Sequence, residues 1–71
     1  MNIIDTTTDI EVQTSIDGRI TSSGVTSAAD ALWAIAVEVS SGAKVCADYN
    51  NVTRAYRITV TDGEFTTVYA S

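Results

Sequence analysis

Nine carboxylates, one thiol and an abundance of hydroxyls are the side chains with chemistry to offer in this 71-residue sequence, which contains no histidine. Without an imidazole there is no ordinary proton shuttle, and a lone cysteine can build neither an intrachain disulfide nor a thiolate metal cage. Asp17, Asp62 and Glu64 are the carboxylates whose spacing invites a catalytic or metal-binding reading. Asp17 and Asp62 each precede a glycine between alternating segments, however, where an acid serves a turn, and no calcium-loop spacing surrounds them. Cys46 lies between Val45 and Ala47 on a strand-like segment, with no base to activate its thiol. No serine or threonine sits in a nucleophile-elbow setting, and no glycine-rich loop precedes a helix to hold phosphate. Asn51-Val52-Thr53 matches a glycosylation acceptor, but the start of the chain does not read as a secretory signal. The expectation is a protein that is not an enzyme and has no cofactor or metal.

The elements around these residues read mainly as sheet. Thr, Val and Ile number 11, 8 and 7 against a single leucine, Leu32. Side chains branched at Cβ are stiff and suit a pleated surface. Residues 26 to 41 carry the sustained helical pattern, with Ser27 and Asp30 spaced as in a capping box and Gly42 placed to end it. Ala28, Ala31, Leu32, Ile35 and Val39 recur every three or four residues, which predicts one apolar stripe against a sheet. Before the helix, Ile10 to Ser23 reads as a hairpin around Asp17-Gly18. A three-residue loop pairs Thr14 with Ile20 and puts Ile10, Val12 and Ile20 on one face, so it is preferred over a two-residue loop. After the helix, residues 44 to 49 form a strand, and Asn50-Asn51 turns it into another beginning near Val52. A second hairpin around Asp62-Gly63 pairs Val60 with Phe65 and Tyr56 with Tyr69. The expectation is one α+β domain over residues 1–71 in two layers: an antiparallel sheet of four or five strands, ordered β-β-α-β-β-β, with one helix on one face.

Two features remain after this core is assigned. On a wheel of about 100° per residue, Trp33 and Val37 fall opposite the predicted stripe and form an apolar pair near Asp30 and Ser41. Either another molecule covers them, or Ile3, Ile4 or a loop of the same chain does. Charge is also uneven: residues 1–42 carry six acids against Arg19 alone, whereas residues 43–71 carry three of each sign. That acidity either steers the protein to a basic partner or serves solubility. Phosphate-backbone binding is disfavoured, because four Lys and Arg against nine acids leave no basic footprint. The candidate partner-binding residues are Asp30, Trp33, Val37, Glu38, Glu11 and Asp17.

With Asp30, Trp33 and Glu38 on the outer helix face, the chain resembles, in size, acidity and strand–helix–strand plan, the small acidic inhibitor proteins of phages and mobile elements, such as anti-CRISPR and host-takeover proteins. The resemblance implies a non-enzymatic inhibitor that occludes the basic nucleic-acid-binding surface of a host complex. The other expectation is a self-assembling homodimer that uses the outer helix face or an edge strand. No apolar run approaches the ~18 residues of a membrane span, and the single cysteine makes a reducing cytoplasm the expected compartment.

Overall fold

The computed structural model describes residues 9–71. Strands β1 (Asp9–Ile16) and β2 (Arg19–Ser27) form a hairpin, followed by helix α1 (Ala28–Ser40) and a meander of β3 (Lys44–Asn50), β4 (Ala55–Asp62) and β5 (Phe65–Ala70). All neighbouring strands are antiparallel in the order β2-β1-β5-β4-β3, so the meander closes onto β1 and, among the described residues, leaves β2 and β3 as the two edges. The helix lies across one face of this sheet, as the two-layer α+β reading requires.

Local chemistry sets the helix ends. The Asp30 amide donates to Ser27 Oγ at 3.2 Å, satisfying one of the free amides of the first turn. At the other end Gly42 adopts φ +95°, and the amides of Gly42 and Ala43 donate to the carbonyls of Val39 and Glu38 at 3.0 and 3.1 Å. That is a Schellman closure, in which a glycine takes the left-handed position.

The register of both hairpins differs from the sequence-based expectation. Asp17 and Gly18 both have positive φ, 50° and 82°, the signature of a two-residue type I′ turn. Ile16 therefore faces Arg19, and Ser15 faces Ile20. Thr21 is then the extra residue of a bulge that sets Thr14 opposite Ser22, and its hydroxyl donates to the Thr14 carbonyl at 3.2 Å. The bulge places Ile20 on the face away from the helix, 62% exposed, while restoring the inward alternation for Ser22, Gly24 and Thr26. In the second hairpin Asp62 pairs with Phe65, leaving Gly63-Glu64 as the turn, with Gly63 at φ +59°. Val60 consequently faces Thr67, and Ile58 faces Tyr69. The slip is two residues, so every side chain keeps its face.

Between β3 and β4 the turn is longer than an Asn50-Asn51 pair. Asn50 Oδ1 accepts from the amides of Val52 and Thr53 at 2.9 and 3.2 Å, and Arg54 closes the loop at φ +58°. A Cβ in that left-handed region costs roughly 1–2 kcal/mol. Part of that is recoverable after allowing for the greater freedom of glycine in the unfolded chain. Arg54→Gly is expected to stabilise the fold by about 0.5–1 kcal/mol and raise the melting temperature by about 2–8 °C. A thermal melt showing a fall would disprove the strain.

The core is thin. Ala31, Val60 and Tyr69 form its buried centre, with Ile10, Val12, Ala34, Ile35, Ala43 and Ile58 packed around them. Of the stripe expected from spacing, Ala28 and Ala31 are buried and Ile35 is half-buried, but Leu32 and Val39 are 46% and 50% exposed. The reason lies in the helix itself, whose sequence is apolar around almost its whole circumference, so spacing alone admits several inward faces. The sheet is met by the one rich in alanine, with Ala28, Ala31, Ala34 and Ile35. Leu32 is about 100° round from Ala31.

Candidate protein-interaction surface

The outward half of α1 is the most distinctive surface among the described residues. Ala29, Trp33, Ala36, Val37 and Ser40 are exposed on it, with Leu32 and Val39 exposed along its flank, and none of these carries a charge. Trp33 is 71% exposed and Val37, one turn on, 43%. A surface helix ordinarily turns a charged face to solvent, and here Asp30 in the first turn supplies the one exposed charge. The suggested intrachain cover by Ile3 or Ile4 lies outside the described residues.

The other expected contact residues do not gather on this face. Glu38 is seven residues after Ala31, within about 20° of it on the wheel, and is half-buried on the sheet side, not on the outer face. Glu11 pairs with Val25 and Ala70 on the sheet surface opposite the helix. Asp17 lies in the β1–β2 turn, where its amide donates to the Glu64 carbonyl of the neighbouring turn at 3.3 Å. The six residues thus divide into an exposed helix group of Asp30, Trp33 and Val37 and three separate carboxylates.

The inward turn of Glu38 has an electrostatic consequence. Burial pushes the Tyr69 phenol above its ordinary pKa, and the Glu38 carboxylate adds to the shift. The folded protein therefore holds this proton more tightly than the unfolded chain. Its contribution to stability is intact below about pH 10, the ordinary tyrosine value, and is lost as pH rises through the raised folded value. Thermal melts across this range are expected to fall more steeply for the unsubstituted protein than for Tyr69→Phe. Equal slopes would contradict the assignment.

The chemistry-bearing residues elsewhere stay apart. Asp17 and Glu64 are brought near by their adjoining turns, yet among the described residues no three acidic or thiol side chains converge as a metal site would require. Cys46 is exposed on β3 opposite Thr59, on the sheet face away from the helix. Among the described residues, that face has an open depression lined in part by Glu11, Gln13, Ser23, Arg57, Val68 and Ala70, with no nucleophile and base paired among them. No helix is long and apolar enough to cross a membrane among the described residues.

Sequence spacing missed the exposure of Leu32 and Val39, which extend the exposed apolar surface along the flank of the helix beside Ala36. The available signal was the scarcity of polar residues in the helix, with Asp30 and Glu38 its only charges. The chain matches no family model, no curated protein and no solved structure.

Proposed function

We propose that this protein is a non-enzymatic binding module that acts as an inhibitor, docking the outer face of α1 into an apolar cleft on a protein that handles nucleic acid. The observation that carries the reading is Trp33, 71% exposed in a mostly apolar helix face whose one charge is Asp30. An aromatic anchor surrounded by smaller apolar groups is the usual energetic centre of a protein interface. The net charge of −5 favours a partner whose rim is basic, since complementary charge speeds encounter and excludes acidic surfaces. Dispersal of Glu11, Asp17 and Glu38 over three places argues for steering by overall charge in preference to mimicry of a phosphate array. Occluding a host nucleic-acid site is the mode of action that the likeness to small acidic phage inhibitors implies.

The test compares the unsubstituted protein and Trp33→Ala as immobilised baits in a bacterial lysate at low and high salt. The expected result is a nucleic-acid-binding protein held by the first bait, lost from the second and weakened by salt. Added protein should then displace nucleic acid from that partner in a gel-shift assay. Identical captures by both baits, or an unaffected gel shift, would overturn the reading. Glu38→Lys is unsuited as a binding probe because it disturbs the sheet-facing side of the helix.

A further inference from the structure

We propose that β3 is a homodimer contact, pairing antiparallel with β3 of a second copy about a two-fold axis at Cys46 and joining the two five-stranded sheets into one. The two edges of the sheet are not equivalent. β2 is interrupted by the bulge at Thr21 and weakened by Ser22-Ser23-Gly24, and irregularity of this kind is how natural sheets protect an edge. Among the described residues β3 has no such protection. Its seven residues hold an unbroken register on β4 from Lys44 opposite Thr61 to Asn50 opposite Ala55, and all seven are exposed. It contains no proline, glycine or bulge, so its outward amides and carbonyls form a regular template for another strand.

Charge identifies the occupant as a second copy and selects the register. Lys44, Cys46, Asp48 and Asn50 lie on the sheet face away from the helix, where Asp48 stands opposite Arg57 of β4. With Cys46 on the axis, Lys44 of each copy comes opposite Asp48 of the other, twice by symmetry. Asp48 then lies between Arg57 of its own chain and a lysine of the second copy. On the helix side Val45 meets Ala47 of the other copy. An axis at Ala47 sets Lys44 against Asn50 and loses both charge pairs, and an axis at Asp48 opposes like charges. Directly opposed strand residues of this kind measurably favour or disfavour pairing according to sign. The two-fold axis is perpendicular to the sheet, so both helices stay on one side. The contact is therefore independent of the Trp33 face, and Trp33→Ala is expected to dimerise as the unsubstituted protein does.

Sedimentation equilibrium over a concentration series is expected to show twice the monomer mass at the upper end. Lys44→Glu and Asp48→Lys should each weaken self-association about tenfold or more. An equimolar mixture of the two variants should recover it, because the introduced glutamate of one then faces the introduced lysine of the other, while the remaining native Asp48 faces the remaining native Lys44. The opposed Cα atoms at the axis would be about 4.5–5.5 Å apart, within disulfide reach. Diamide, which takes the two thiol hydrogens as it is reduced to the hydrazine, should therefore cross-link the unsubstituted protein through Cys46. A monomer throughout the series overturns the proposal. So does a dimer indifferent to both charge reversals, or one that oxidation leaves uncross-linked. The cross-link is read on the unsubstituted chain, so it remains decisive even if a charge variant fails to fold.

Discussion

Tyr69→Ala is expected to remove most of the stability of this protein. Tyr69 lies in β5 between Val12 of β1 and Ile58 of β4 and forms the buried centre with Ala31 and Val60. It is the only large side chain of the three. Truncating a buried aromatic residue to alanine typically costs about 3–5 kcal/mol, through lost transfer energy and the cavity left behind. At about 0.05–0.15 kcal/mol per residue, a chain of this length has only ~4–10 kcal/mol in total. The melting temperature is expected to fall by about 12–40 °C, at about 4–8 °C per kcal/mol for a domain of this size. Tyr69→Phe, which keeps the ring, should stay within about 1 kcal/mol of the unsubstituted protein. Circular dichroism melts of the pair decide the matter. A small loss in Tyr69→Ala would mean that the helix and sheet are not held together at this point.

Trp33→Ala is expected to show the reverse pattern, with stability unchanged within about 0.5 kcal/mol, as for a surface substitution away from structural features. Binding to the partner should fall by about 30-fold or more, the equivalent of roughly 2 kcal/mol for a hot-spot residue. The two measurements together are diagnostic, since a ring that packs on its own chain would lower the melting temperature when removed. A titration in which Trp33→Ala binds as tightly as the unsubstituted protein would remove α1 from the interface. Asp30, exposed in the first turn of the same helix, is expected to act on the association rate, so Asp30→Lys should slow encounter with a basic partner and reduce its salt dependence.

The fold was legible in the chain wherever the signal was local. Ser27 and Gly42 bound the helix through short-range hydrogen bonds and a left-handed backbone, and those depend on residue type at a single position. The two Asp-Gly pairs announced their hairpins for the same reason. Register was less accessible. The strands of the first hairpin can be paired through a three-residue loop or through a two-residue turn with a later bulge, and only the second occurs. Both satisfy the turn residues. Both also turn Ile10 and Val12 toward the helix, so alternation along β1 does not separate them; what differs is Ile20, which the bulge at Thr21 turns to the outer face.

The candidate surface divides in the same way. By itself the sequence determined that one helix crosses a mostly β-branched sheet, that the chain is strongly acidic, and that Trp33 and Val37 lie together on a helix side distinct from Ala28 and Ile35. Tertiary structure alone decided which apolar residues of α1 are buried, turning Glu38 inward and leaving Leu32 and Val39 in solvent. It also decided that β3 lies at a regular edge of the sheet among the described residues, and not at its centre. Spacing specifies angles around one helix and alternation along one strand. Which angle meets the sheet, and which strand lies outermost, depends on contacts between residues distant in the chain, and no local pattern contains them.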